Sequence, residues 1–282
     1  MPKIILPFCF IILSCSGQTQ VPNSLPPITK AAKNVKIIFN KVGIWLQYPA
    51  DSVSIKGDLI LLPGWNFSNT KWCDSTEVCQ TALAKGYRVI APQMGQSIYA
   101  TKYFPETRTD LRNYPTLLWL DSAINFMKDS MGMFQLKNYL LGLSTGARGV
   151  ALICEKRPGF FHAAAALSGD FNQMSMPQDP LCSLVYGPFS KFMMRWKNID
   201  NPQLFLNNHA WNTPVYLGHG MKDKVVPVAQ TQNFAAAILN NKKGGTFNPK
   251  ADLVLHVEKD AGHTFVYWKS ELPAIWSFFE AH

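Results

Sequence analysis

Three polar residues, each standing just after a short apolar run, could together attack a carbonyl carbon. Ser144 lies in Gly142-Leu-Ser-Thr-Gly146, a G-x-S-x-G pattern, with the apolar Tyr139-Leu-Leu before it and the small residues Ala147, Gly149 and Ala151 after it. That context predicts a strand-to-helix turn, whose strained backbone exposes the serine and tolerates only small flanking residues. A serine hydroxyl is a weak nucleophile; it needs a base, and the base needs a carboxylate to orient it. Asp223 follows Pro214-Val-Tyr-Leu and precedes Pro227 by four residues. His263 follows Leu253-Val-Leu-His-Val on a short loop. The order serine, acid, histidine, each at the end of its own strand, assigns Ser144 as nucleophile, His263 as base and Asp223 as acid.

Other residues compete for these roles. Asp260, three residues before His263, reads as a loop residue, and Asp170, after an earlier strand, is a possible displaced acid. His219 reads as packing or bonding locally just past a strand, His162 and His256 as helix-end and strand residues, and His209 as a possible substrate contact. The developing oxyanion needs N–H donors already aimed at it. Thr145, after the nucleophile, supplies one. Pro63-Gly-Trp-Asn-Phe67 supplies the other, with Trp65 as donor and Asn66 as the alternative.

These residues need a scaffold of strands and helices. Val35–Phe39 and Gly43–Tyr48 alternate as an antiparallel, half-buried edge would. Asp58–Leu62, Tyr87–Ala91, Tyr139–Gly142, Ala163–Leu167, Pro214–Gly218 and Asp252–Val257 are continuous apolar runs, the texture of parallel strands covered on both faces. Helices are predicted over 74–85, 115–131, 145–156 and 228–240. The alternation implies βαβ units and a mostly parallel sheet with helices on both faces. Residues 172–212 break it; they are rich in Pro, Met and aromatics and read as a small helical cap over the carboxyl edge of the sheet, where ligands bind in such folds.

The 282 residues are 47% hydrophobic and 16% charged, which excludes a disordered chain. The net charge of +9 is dispersed rather than gathered in a basic run, so the reading is a solvated surface and no nucleic-acid partner. No Cys/His spacing resembles a metal site, and neither metal nor organic cofactor is implied.

From about residue 35 onward the chain resembles the esterase-D-like branch of the α/β hydrolases, which includes feruloyl esterases, S-formylglutathione hydrolases, enterochelin esterases and mycolyltransferases. The matching pieces are Gly142–Gly149, Phe160–Gly169, Tyr186-Gly-Pro-Phe189, Arg195-Trp196, Asn201-Pro202, Gly262-His263 with Tyr267-Trp268, and Ser97-Ile-Tyr99. Thr-Gly-Ala after the serine, for Met-Gly-Gly, and Pro-Gly-Trp, for His-Gly-Gly, depart from it. The resemblance implies an α/β-hydrolase fold, the triad Ser144, Asp223 and His263, and oxyanion donors Trp65 and Thr145. Tyr99, Trp196 and Trp268 are candidate substrate contacts, since an aromatic-lined pocket suits an aryl or acyl ester or a stacked sugar. The expected activity is hydrolysis of a small-molecule or polysaccharide-linked carboxylic ester through an acyl-enzyme. Acyl transfer by the same triad, or a non-catalytic binding scaffold of the cell envelope, are the alternatives.

Residues 1–15 have the anatomy of an export signal: Lys3, then an apolar run too short to span a bilayer. Ile12-Leu-Ser-Cys15 resembles a bacterial lipobox, which makes Cys15 a lipidation site, residues 16–32 a tether and residues 33–282 the hydrolase domain. The membrane is then met through the lipid anchor only, with ordinary signal cleavage and free secretion as the alternative. Export permits a disulfide, and Cys73 and Cys79 would meet only if the helix there had a non-helical first turn. Cys154 reads as a small buried hydrophobe.

Overall fold

The computed structural model describes residues 33–108, 114–241 and 247–282, so the expected signal, tether and Cys15 lie outside the described residues. Eight strands form one sheet: β1 (Lys33–Phe39), β2 (Val42–Tyr48), β3 (Gly57–Leu62), β4 (Tyr87–Pro92), β5 (Lys137–Leu143), β6 (Ala163–Leu167), β7 (Val215–Gly220) and β8 (Leu253–Glu258). Their order is β1-β2-β4-β3-β5-β6-β7-β8. β1 and β2 pair antiparallel, as does β2 with β4, and every later pairing is parallel. The sheet runs outward from β3 to β4, then returns to place β5 on the other side of β3. That reversal opens a crevice beyond the carboxyl ends of β3 and β5, the usual ligand position in an open α/β sheet.

The strand pleat sends alternate side chains to opposite faces. Ile60 and Leu62 of β3, with Ile90, Leu140 and Leu217, face one core, which α3 (Thr116–Met131), α4 (Thr145–Lys156) and α8 (Ala229–Leu239) close. Leu59 and Leu61, with Val89, Tyr139 and Leu141, face the other, closed by α1 (Lys71–Ser75), α2 (Val78–Ala84), α10 (Phe265–Ser270) and α11 (Leu272–Ala281). Both faces are therefore buried, which is why these strands are continuously apolar. β8 departs from that texture. It is an edge strand with a half-open pattern, and its Leu255 is exposed.

Between β6 and β7 lie α5 (Pro180–Tyr186), α6 (Phe189–Asn198) and the short α7 (Pro202–Phe205); α9 (Pro249–Asp252) precedes β8. The single helix predicted over 74–85 is two, because the chain turns at Thr76 and Glu77. Thr76 Oγ1 donates to the Trp72 carbonyl at 2.7 Å and accepts from the Val78 N–H at 3.3 Å, replacing helical bonds with local ones. The break brings the Cα atoms of Cys73 and Cys79 to 5.2 Å, and the two are disulfide-bonded. Cys154 and Cys182 are free and buried. Among the described residues no helix is long and apolar enough to cross a membrane.

Candidate active site

Ser144 sits between the last residue of β5 and the first of α4, with φ 55° and ψ −128°. A positive φ is costly for a non-glycine residue, and strain of this kind persists only where the surroundings over-determine it. Here they do. A Cβ on Gly142 would stand 2.4 Å from the Gly146 carbonyl oxygen, and one on Gly146 would stand 2.4 Å from the Leu62 oxygen. Both glycines of the motif are required by close backbone approach, and the Ser144 N–H is tied to the Leu167 carbonyl at 2.8 Å.

Forty residues separate Asp223 from His263, but parallel pairing of β7 with β8 sets their loops side by side. His263 Nδ1 and Asp223 Oδ2 are 2.7 Å apart, and Ser144 Oγ lies 2.9 Å from His263 Nε2. With Nδ1–H donated to the carboxylate, Nε2 is left as the acceptor for the serine hydroxyl. Asp223 Oδ1 accepts the N–H groups of Val225 and Val226, which locks its rotamer. Burial works against the charge on Asp223, but bonds from His219 and His263 outweigh it and hold the carboxyl well below the usual range.

His219 is a contributor that its sequence position did not reveal. It is fully buried in β7, with Nε2 2.9 Å from the Val226 carbonyl and 3.3 Å from Asp223 Oδ2, and Nδ1 2.6 Å from Thr231 Oγ1. The acid is thus gripped by two histidines. The rival acids are engaged elsewhere. Asp170 pairs with the buried Arg148 at 3.0 Å, and Asp260 makes an exposed pair with Lys222 at 2.7 Å. His162 accepts the Asn138 N–H, and His256 pairs with Glu271.

The loop after β3 runs against the nucleophile: a Cβ on Gly64 would lie 3.1 Å from Ser144 Cβ. Asn66 donates its N–H to the Gly95 carbonyl at 2.9 Å, so the alternative donor is already spent. Among the described residues the Trp65 N–H takes no backbone carbonyl, and the Thr145 N–H, first in α4, has no intrahelical partner. Thr145 also brings a buried hydroxyl without a hydrogen-bond partner among the described residues.

The aromatic expectation needs correction. Tyr99 is fully buried and donates its hydroxyl to the Pro63 carbonyl at 2.9 Å, so it braces the loop that carries Trp65 rather than facing a ligand. Trp196 is fully buried and donates its indole N–H to the Gly187 carbonyl at 2.9 Å. Trp268 is 2% exposed; its indole donates to Ser168 Oγ at 3.1 Å, and its ring stands edge-on to His263 with centroids 5.0 Å apart. It packs the histidine in place. Trp65, in the loop that runs against the serine, stays half-buried. Among the described residues no group of three or more His, Cys, Asp or Glu side chains is disposed to hold a metal ion.

A family model described as the prolyl oligopeptidase family matches residues 123–282, more than half of the chain, and the chain belongs to that family of α/β hydrolases. No curated protein matches it in sequence. Solved structures share the fold at low identity. The fluorophosphonate-binding serine hydrolase F of Staphylococcus aureus is 16% identical with a TM-score of 0.67, over 88% of this chain and 98% of that one. An S-formylglutathione hydrolase from Agrobacterium tumefaciens is 14% identical with a TM-score of 0.67, over 88% and 94%. The Pyrococcus furiosus esterase Pf2001 is 18% identical with a TM-score of 0.58, over 89% and 92%. The protein is a serine hydrolase of the α/β-hydrolase superfamily with esterase-like structural neighbours.

Proposed function

We propose that the protein cleaves carboxylic esters through an acyl-enzyme on Ser144. The observation that carries this reading is the continuous bond chain Ser144 Oγ–His263–Asp223, at 2.9 and 2.7 Å, ending on a strained, partly open serine. His263 takes the hydroxyl proton as Ser144 attacks the acyl carbon. Asp223 holds the imidazole tautomer and stabilises its cationic form without itself taking the proton. The Trp65 and Thr145 N–H groups meet the oxyanion. His263 then returns the proton to the leaving alkoxide, and the same base activates water to release the acid.

Membership of the prolyl oligopeptidase family favours a second reading, peptide-bond cleavage by the same serine. A fluorophosphonate probe tests the shared part: wild type is labelled rapidly and Ser144→Ala is not, whereas equal labelling removes Ser144 from the mechanism. Turnover of short-chain, feruloyl and acetyl-sugar esters against peptide anilides then separates the two substrates. We further place the enzyme outside the cytoplasm on a lipid anchor at Cys15, a reading supported by the Ile12–Cys15 motif. Wild type should incorporate labelled fatty acid and Cys15→Ala should not.

A further inference from the structure

A cavity lies away from the serine, lined by the C-terminal half of α4 and by α7. Its volume is about 570 Å³, within the range of roughly 300–1,000 Å³ typical of small-molecule sites. Glu155, on its wall, is eleven residues beyond Ser144, about 16 Å along the helix axis. The catalytic chain contributes nothing to this lining.

The Glu155 carboxyl is what sets this cavity apart. Its Oε1 is buried and has no hydrogen-bond partner among the described residues. The neighbouring lysine, Lys156, is turned to Asp121 instead, at 3.4 Å. The cavity's other carboxylate, Asp200, is fully used: Thr101 donates through N at 2.8 Å and Oγ1 at 2.5 Å, and the Tyr186 hydroxyl donates at 3.0 Å. A buried carboxyl oxygen left unpaired is costly, and on the wall of a cavity it marks a place where something else binds. Burial also pushes the Glu155 carboxyl well above the usual range.

The rest of the lining selects the ligand. Lys156 and Lys197 stand against Glu155 and Asp200, so neither an anion nor a cation finds a uniform field there. Phe205 and His209 stack at 3.9 Å, with 11° between their planes, and give one wall a flat apolar face. Exposed Asn207 and Asn208 and the apolar Leu117 and Leu152 also line it. A flat ring face beside amide and carboxyl groups is complementary to a sugar ring, whose C–H face is apolar and whose edge is hydroxyl. We infer that this cavity is a binding site for a neutral saccharide, separate from the ester-cleaving centre and independent of which bond that centre cleaves.

Calorimetric titration of the full chain with cellobiose, xylobiose and maltose, beside glucuronate and putrescine, tests this without reading turnover. At least one neutral disaccharide should bind saturably, equally well to wild type and Ser144→Ala. Glu155→Leu should weaken that binding at least about tenfold, and Asn208→Trp, an exposed position, should block it while thermal melting shows a native fold. The inference is overturned if no disaccharide saturates, if only glucuronate or putrescine binds, or if Asn208→Trp binds like wild type. Should Glu155→Leu fail to fold, Asn208→Trp alone decides.

Discussion

Two aspartates occupy equivalent places in this molecule and do different work. Asp170 follows β6 and Asp223 follows β7, adjacent strands whose carboxyl ends point the same way. Asp223 is held by two histidines and two backbone N–H groups, and one of those histidines reaches the serine. Asp170 is claimed by Arg148, a fully buried guanidinium that also donates to the Ile98 carbonyl at 3.1 Å, to Gln173 at 3.0 Å and to the Asp200 carbonyl. One cluster is a directional chain with an open end, suited to moving a proton. The other is a closed hub that ties the 98–100 loop and the 170–200 segment to α4. A strand end therefore offers a position, and the neighbours decide the role.

The comparison is tested most severely at the serine. Ser144→Ala should lower ester turnover by at least about 10³-fold, since a triad nucleophile acts as part of a unit, with the far-UV circular dichroism unchanged; substantial residual activity would break the chain at its first link. Asp223→Asn should lower kcat by about 10²- to 10⁴-fold, while Asp170→Asn stays within about tenfold. Steady-state kinetics on both variants with one activated ester reads the contrast, and the reverse outcome would move the acid to β6.

Asp223 also makes a pH prediction. Its folded carboxyl is held below the unfolded value of about 3.9, so its contribution to stability is present above that pH and is lost as the pH falls further. The difference in melting temperature between wild type and Asp223→Asn should hold from pH 7 down to about pH 4 and shrink as the pH falls below that.

The hub should fail differently. Arg148→Met leaves buried carbonyls and Asp170 without their cation, and breaking such a network costs about 3–5 kcal/mol, read as a lowered denaturant midpoint. Turnover per folded molecule should change far less than in Asp223→Asn. A smaller effect belongs to neither cluster. Removing the Cys73–Cys79 bridge frees a short loop worth about 2 kcal/mol by chain entropy; the Cys73→Ser, Cys79→Ser pair should melt earlier with turnover nearly unchanged.

Legibility followed from what each feature depends on. The strands could be read because both faces of the sheet are buried, leaving unbroken apolar runs such as Leu59–Leu62 and Leu140–Leu143. Ser144, Asp223 and His263 could be singled out because Ser144 directly follows the β5 run and the other two stand in the short loops that leave β7 and β8. Trp65 could be named as donor over Asn66, but only the structure shows that the Asn66 N–H is already given to Gly95.

Other features depend on what lies opposite. Tyr99, Trp196 and Trp268 looked like ligand contacts, yet an aromatic side chain has the same sequence signature whether it lines a pocket or fills a core. His219 reads as packing or bonding locally, and it does, but only the turn after β7 shows that Asp223 is among its partners. The break at Thr76 and the unpaired Glu155 were invisible for a related reason: each turns on which hydrogen-bond partners are within reach. Sequence by itself determined the sheet, the order of Ser144, Asp223 and His263 along it and the strained serine turn, because local patterning and short-range sterics set them. Tertiary structure alone decided which groups besides His263 hold Asp223, which aromatics are buried and where a carboxyl oxygen is left without a partner, because those outcomes depend on which groups the fold brings within reach.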